Sequence, residues 1–279
     1  MTQKKKTLNT VLLIVMIFLA ALFLFPIFIV AMNSFKTKFS IMGSPFKFPD
    51  SNTFVGFENY ITGVKSAGIA AAFGRSLFIT VLSVIVLTVL ASMTAWYIVR
   101  VKSGITKTLY SLFVFSMIVP FQMVMYTMTY VVTKIRFNNP IGIIFVYVGF
   151  GAGLSVFMLS GFIKGIPLEL EEAAEIDGCN PVQKFFSIVF PILKPTAITV
   201  TILNAMWIWN DYLLPYLILG TSNKTLPVAI QIAMQGAYGS VNWGGFMAML
   251  VLAILPIIVF YLFCQRYIIE GVIAGAVKG

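Results

Sequence analysis

The chain has 279 residues, of which 59% are hydrophobic and only 10% are charged. Soluble domains usually carry about 25% charged residues, so this composition excludes a water-soluble globule and predicts an integral membrane protein. The net charge of +10 then indicates basic loops that flank membrane spans rather than a nucleic-acid surface, and we expect no nucleic-acid partner.

Charge-free apolar stretches predict six membrane-spanning helices, because a helix needs about 20 mostly apolar residues to cross a bilayer. The first occupies residues 11–32 and follows the lysine cluster 4–6, which predicts a cytoplasmic N-terminus. The others are expected between residues 75 and 100, 107 and 134, 136 and 164, after Lys194 with an interruption at Asp211, and near 244–264. An even number of spans also places the C-terminus in the cytoplasm.

The spans divide the chain into three parts. Residues 1–71 form an N-terminal tail, the first span and an external loop in which short interfacial helices are expected. Residues 72–265 form the membrane core, which includes a cytoplasmic loop at 165–195. Residues 266–279 form a cytoplasmic tail.

The loop at 165–195 is the most strongly charged stretch, and its residues predict a helix–turn–helix. Pro167 suits the first turn of a helix, where its missing N–H is not needed. Gly178 can adopt the left-handed conformation that ends a helix. Asn180 and Gln183 are spaced for a capping box that starts the next one. Pro191 and Pro195 are expected to bracket the entry to the fifth span.

The same loop has the features of a docking surface. Ala173 and Ala174 lack bulk, so another protein could approach that helix closely. Five carboxylates indicate a cationic partner: Glu169, Glu171, Glu172, Glu175 and Asp177. On these residues alone, an ordinary amphipathic surface helix with its charges in water explains the pattern equally well.

The fifth span contains a polar stripe. Asn204, Trp207 and Asp211 are spaced three and four residues apart and would share one helix face, with Asn210 at its border. Pro215 has no N–H to bond the Asp211 carbonyl, so that acceptor would be free. One interpretation is a translocation path for a hydroxyl-rich solute. The other is that the polar residues tie helices together and Trp207 packs or lies at the interface.

Chemistry other than transport has few residues to support it. Histidine is absent, which excludes Ser–His and Cys–His catalysis and His-ligated metal sites. Cys179 and Cys264 form no C-x-x-C pair, and no Gly-Lys dipeptide exists to build a phosphate-binding loop. We therefore expect no catalytic residues, metal or cofactor in this chain.

A spaced motif in the charged loop resembles the EAA–G–I-x-L-P signature of ABC importer permeases. Glu172-Ala173-Ala174 is followed after three residues by Gly178, and after nine more by Ile188-x-Phe190-Pro191, with phenylalanine in place of leucine. Three further stretches are similar to the second permease subunit of maltose-type sugar importers: residues 33–36 (NSFK), 209–215 (WNDYLLP) and 275–279 (GAVKG). The resemblance covers essentially the whole chain.

This resemblance implies an all-α membrane protein with the six-helix fold of type I ABC importer permeases and a cytoplasmic coupling helix. The positions implied at the ATPase contact are Glu172, Ala173, Ala174, Gly178, Ile188 and Pro191. The substrate path would include Asn204, Trp207, Asn210 and Asp211. The outer loop tip at 236–239 would reach into a binding protein.

The family also implies partners and a location. They are a second, different permease, two copies of a cytoplasmic ABC ATPase that holds ATP and Mg²⁺, and an extracytoplasmic sugar-binding protein. The chain would lie in the bacterial plasma (inner) membrane. Alternatives are the same fold carrying a polyol, glycerol phosphate or a peptide, an ion-driven secondary transporter, or a membrane enzyme.

Overall fold

The computed structural model describes residues 3–66, 68–235 and 241–276. Within these ranges every regular element is helical, and the one extended pairing is an isolated bridge between Lys36 and Phe54. The predicted all-α class is therefore confirmed. The helices in chain order are α1 (Gln3–Asn33), α2 (Lys38–Gly43), α3 (Glu58–Ser66), α4 (Ile69–Arg100), α5 (Gly104–Ser116), α6 (Phe121–Lys134), α7 (Gly142–Ile163), α8 (Glu169–Ile176), α9 (Pro181–Lys184), α10 (Phe190–Asn210), α11 (Leu213–Leu219), α12 (Leu226–Gln235) and α13 (Trp243–Ala276).

Five helical stretches in the described part of the chain are long and apolar enough to cross a membrane. They are Leu8–Asn33, Ile69–Arg100, Gly142–Ile163, Pro181–Asn210 and Trp243–Tyr267. A sixth span is obtained when α5 and α6 are counted together, although these two helices are bent by 107° relative to each other. The prediction of six spans is confirmed on that count.

The third predicted span is not one continuous helix. Pro120 caps α6 with an extended backbone (φ −63°, ψ 136°), and α5 has already ended at Ser116. Proline lacks an N–H and disfavours helical backbone in the residue before it, so the chain breaks here. The charge-free stretch between Lys107 and Lys134 contains Pro120, but its composition alone did not predict a bend of this size.

The fifth span also differs from the prediction, at both ends. Pro191 and Pro195 lie inside a continuous helical stretch that begins at Pro181 and passes through a π-helical turn, Phe185–Val189. At the other end α10 stops at Asn210, and Asp211 is extended (φ −73°, ψ 124°). A helix continued through Asp211 would place Pro215 in its interior, where it removes a hydrogen bond and clashes with the carbonyl four residues earlier.

The chain divides into two compact units, Met1–Ala71 with Ala229–Pro256 and Ala72–Val228 with Ile257–Gly279. In the first unit, the expected short helices of the external loop are present as α2 and α3. Lys36 holds the turn after α1: its side chain is completely buried, and its Nζ donates to the carbonyls of Ser44 (2.7 Å) and Lys47 (2.9 Å). Burial lowers the pKa of Lys36.

The second unit packs α4, α7 and α10 around two apolar clusters. One includes Leu87, Leu159 and Leu193, and the other includes Ile79, Ile144 and Ile208. Glycines allow close helix contact: a Cβ added at Gly153 of α7 would lie 2.8 Å from the Phe113 carbonyl oxygen of α5. Small residues therefore set the spacing of these helices together with the large apolar ones.

Candidate functional site

The charged loop forms the predicted helix–turn–helix. Helix α8 begins at Glu169, two residues after Pro167, and its first turn is acidic as expected at the positive end of a helix. Gly178 has the left-handed backbone, with φ +83°. Asn180 and Gln183 form the predicted reciprocal capping box, with both backbone N–H groups satisfied at 2.9 Å. The local sequence therefore dictates the turn.

Glu171 is the residue that ties this loop to the spans. Its side chain is 5% exposed, and one carboxylate oxygen accepts from Trp96 Nε1 at 2.8 Å. The other accepts from Arg100 Nε at 2.8 Å and lies 2.7 Å from Arg100 Nη2 as an ion pair. Arg100 Nη2 also donates to the Ile166 carbonyl at 3.0 Å. This ion pair joins α8 to the end of α4.

The expectation that five carboxylates face a cationic partner is therefore wrong for Glu171, whereas Glu175 is exposed but already paired within the loop. Glu171 points inward, and Glu175 pairs with Lys184 at 2.8 Å across the turn. That hydrogen bond and the Lys184 charge lower the pKa of Glu175. The acidic surface left by the loop consists of Glu169, Glu172 and Asp177, which are all exposed.

The residues assigned to the ATPase contact are not equally accessible. Glu172, Ala173, Gly178 and Pro191 are exposed, Ile188 is half-buried, and Ala174 is buried against the rest of the loop. Beside them the loop exposes apolar side chains that sequence reasoning missed, Ile176 (87%) and Val182 (61%). Together with the small Ala173 they add exposed apolar area to this face of the loop.

Asp211 occupies a polar break between α10 and α11. Its Oδ1 accepts from the backbone N–H of Leu213 (3.0 Å) and of Leu214 (3.4 Å), so it caps the helix that follows. Its Oδ2 accepts from the hydroxyl of Tyr147 at 3.1 Å. Tyr147, which no sequence pattern singled out, is completely buried on α7 and packs edge-on against Trp207 at 5.4 Å.

A small cavity of about 210 Å³ opens beside this break. Trp207 and Asp211 line it, together with Gln122 of α6 and apolar side chains. Trp207 is 41% exposed, so part of the indole is free to contact a solute. The cavity therefore combines an aromatic surface, a carboxylate and an amide.

The other two predicted path residues lie elsewhere. Asn204 is buried, and its Nδ2 donates to Ser155 Oγ (3.1 Å) and to the Val200 carbonyl (2.9 Å), which ties α10 to α7. Asn210 is exposed, and its Nδ2 donates to the Met206 carbonyl. The single helical stripe expected from Asn204 to Asp211 is interrupted, because the helix ends before Asp211.

The outer loop between the fifth and sixth spans contains α12, which was not predicted. Its expected tip at 236–239 lies outside the described residues. The sixth span, Trp243–Tyr267, agrees with the expected 244–264 to within three residues at each end, and the helix α13 itself continues to Ala276.

The sequence was compared with known proteins. Residues 87–273 match the family described as binding-protein-dependent transport system inner membrane component. The chain is 40% identical over 263 residues to the probable starch degradation products transport system permease protein AmyC of Thermoanaerobacterium thermosulfurigenes, covering 94% of each protein. It is 36% identical over 262 residues to the multiple sugar-binding transport system permease protein MsmG of Streptococcus mutans, covering 92% of each.

Two solved bacterial structures share the fold. One is an ABC transporter involved in the import of the acidic polysaccharide alginate, with a TM-score of 0.81 at 19% identity, covering 96% of this chain and 98% of that one. The other is an alginate ABC transporter in complex with an alginate pentasaccharide-bound periplasmic protein, with a TM-score of 0.66 at 17% identity, covering 95% and 96%.

Proposed function

The chain belongs to the family of binding-protein-dependent transport system inner membrane components, and we propose that it is a permease subunit of an ATP-driven carbohydrate importer. The observation that carries this proposal is the EAA motif on an exposed helix–turn–helix that an ion pair anchors to a membrane span. Relatives named as permeases for starch degradation products and for multiple sugars support the cargo class.

The loop is assigned to the coupling of ATP hydrolysis to transport. Glu172, Ala173 and Gly178 would contact a separate ATPase subunit, which holds the ATP and Mg²⁺, while Ile176 and Val182 supply apolar area to the same contact. Ala174 and Ile188 shape the loop from behind, whereas the exposed Pro191 would join the contact. Because Glu171 fixes α8 to Arg100, a displacement of α8 is passed directly to α4.

The cavity at the polar break is assigned to the solute path. The partly exposed Trp207 can stack on the apolar face of a sugar ring. The Asp211 carboxylate can accept hydrogen bonds from hydroxyl groups, and the Gln122 amide can accept or donate them. Asn204 is assigned to helix packing and Asn210 to the border of the path. The Asp211 carboxylate disfavours glycerol phosphate, whereas a polyol or a peptide stays an alternative cargo.

The partners follow from the same proposal. A second, different permease completes the path, two ATPase copies bind on the cytoplasmic side, and an external sugar-binding protein delivers the cargo. Both termini and the loop 165–195 would be cytoplasmic in the bacterial inner membrane.

The first test is affinity purification of the tagged chain from its native membrane in a gentle detergent. We expect an ATPase and a second permease to copurify, and the complex to support ATP-dependent uptake of a sugar in vesicles together with its binding protein. A chain that is isolated alone and transports in response to an ion gradient would contradict the proposal and favour a secondary transporter.

The path assignment is tested in the same vesicles with Asp211→Asn. Asparagine keeps the Oδ1 acceptor that caps α11, so assembly should survive while the concentration dependence of uptake changes. Asn138→Ala, at an exposed position outside the cavity, is the control. Loss of the complex in Asp211→Asn would instead assign Asp211 to helix packing.

A further inference from the structure

A second cavity, of about 690 Å³, lies at the end of the second unit that carries the charged loop. It is formed where α4 ends, where α5 begins and where α7 ends. Its size falls within the range of about 300–1,000 Å³ that is typical of small-molecule sites. It is lined by different residues from those of the cavity at Asp211.

The charged side chains that line this cavity are all cations: Arg100, Lys102, Lys107 and Lys164. We call it the basic cavity. Glu171 neutralises Arg100 from behind. In the described part of the chain the three lysines form no ion pair with an acid; Lys164 lies over the ring of Tyr110, 5.4 Å from its centroid. Three lysines without an acidic partner therefore line one cavity.

Ser160 gives an independent indication of a ligand. This residue lines the cavity and is completely buried, yet its Oγ has no hydrogen-bond partner among the described residues. A buried hydroxyl without a partner costs free energy, and such groups are rare in native proteins. An acceptor atom bound in the cavity would satisfy it. The first turn of α5 adds the positive end of a helix to the same space.

The position of the cavity identifies the kind of anion. Arg100 ends one membrane span, Ile163 ends another, and Gly104 begins the bent pair, so the lysines lie at the level where a bilayer has its headgroups. Apolar residues, Ile98 and Val99, line the cavity alongside them. Basic pockets between helices at this level suit the phosphate groups of lipids, whose acyl chains remain in the bilayer.

We propose that the basic cavity binds the phosphate headgroup of an anionic phospholipid, held by Lys102, Lys107 and Lys164 with Ser160 donating to a phosphate oxygen. The proposal requires only that the spans lie in a membrane, and it is independent of the cargo and of the ATPase contact.

The test measures lipid binding to the full, delipidated chain by native mass spectrometry, with phosphatidylglycerol and phosphatidylcholine of identical acyl chains. The unmodified chain should bind phosphatidylglycerol more tightly. The double variant Lys102→Gln/Lys107→Gln should weaken that binding about 25-fold, since each basic residue near an anionic lipid surface contributes about fivefold. Phosphatidylcholine binding should not change.

Three further variants separate a site from general charge. Lys134→Gln is the matched control for Lys164→Gln, because Lys134 is exposed and lies over Tyr130 at a similar distance, 5.5 Å, outside the cavity. Lys134→Gln should change the affinity for phosphatidylglycerol by no more than about twofold relative to the unmodified chain. Ser160→Ala should weaken phosphatidylglycerol binding about tenfold, because a hydrogen bond to a charged group contributes about that much to affinity.

Three outcomes would overturn the proposal. Equal losses in Lys134→Gln and Lys164→Gln would indicate unspecific attraction, and unchanged binding in the double variant and in Ser160→Ala would show that the cavity holds no lipid. Displacement of phosphatidylglycerol by inorganic phosphate at the same concentration would assign the cavity to a soluble anion. Lipid binding is measured without ATP or sugar. A negative result for the lipid site can therefore be distinguished from a negative result for the importer assignment.

Discussion

At the scale of single residues, Glu171 shows how an acidic motif can contain an internal anchor. A carboxylate is seldom buried unless cations and donors satisfy it, and here Arg100 and Trp96 satisfy both oxygens. The neighbouring Glu172 faces outward on the same helix. Adjacent glutamates therefore differ in role, because Glu171 fixes the loop to the span and Glu172 is exposed on the loop surface.

We predict that Glu171→Gln lowers the stability of the purified chain by about 3 kcal/mol, since removing one partner leaves the Arg100 charge poorly compensated in a mostly buried position. Thermal unfolding in detergent measures the change. Glu169→Gln, at an exposed position on α8, should have an effect within about 0.5 kcal/mol. If the double variant Glu171→Gln/Arg100→Gln recovers none of the stability that Glu171→Gln loses, the broken ion pair is not the cause of that loss.

At the scale of elements, turns and close contacts are set by glycines in two different ways. Gly178 is needed for its backbone: it has φ +83°, and a Cβ added there would meet no heavy atom within 4 Å. Gly153 is needed for its size, because a Cβ there would meet Ser116 Oγ at 2.6 Å and the Phe113 carbonyl at 2.8 Å. The first fixes the turn of the charged loop, and the second sets the distance between α5 and α7.

We predict that Gly178→Val uncouples transport, because a β-branched residue resists the left-handed backbone of the turn. ATP-dependent uptake and copurification of the ATPase measure the effect. Gly178→Asn is the matched control, since asparagine tolerates this conformation and should retain most of the uptake. Normal uptake in Gly178→Val would contradict the role of the turn in coupling.

We also predict that Gly153→Ala destabilises the chain by about 1–3 kcal/mol, the usual cost of overpacking a close contact. The backbone carbonyl of Phe113 cannot move aside as a flexible side chain would. Gly161→Ala on the same helix meets no heavy atom within 4 Å and should not lower the unfolding temperature. Equal effects of the two variants would mean that helix propensity, rather than contact distance, decides the result.

At the scale of the whole molecule, the assigned orientation puts the coupling loop and the outer loop on opposite sides of the membrane. The two cysteines, Cys179 in the loop and Cys264 in the last span, are both free. Cys179 is partly exposed and so can report the side on which the loop lies. The turn after α11 offers an exposed position, Ser222, for a reporter on the other side.

With Cys264 replaced by serine, a membrane-impermeant maleimide should label Cys179 in inverted vesicles washed free of peripheral proteins, and not in intact cells. The variant Ser222→Cys, carrying Cys179→Ser as well, should show the opposite pattern. Labelling of both positions from the same side would contradict the six-span topology and the cytoplasmic assignment of the coupling loop.

Much of this molecule was predictable because its determinants are local. Hydrophobic length predicts each span regardless of its neighbours. Gly178, Asn180 and Gln183 specify their turn through backbone preference and short-range hydrogen bonds. The motif from Glu172 to Pro191 indicates the family because its spacing is read directly from the chain.

Tertiary structure decided whatever depends on contacts between distant residues. Glu171 meets Arg100 across 71 positions, and Asn204 meets Ser155 across 49, so no local pattern distinguishes these inward side chains from outward ones. Prolines near the bend before Phe121 and near the end of α10 at Asn210 mark where a helix can break, but the angle of the bend is seen only in the structure. Sequence alone thus determined the membrane class, the spans and the loop motif, whereas the fold decided which polar side chains anchor helices and which line a cavity, because burial is a property of the assembled helices.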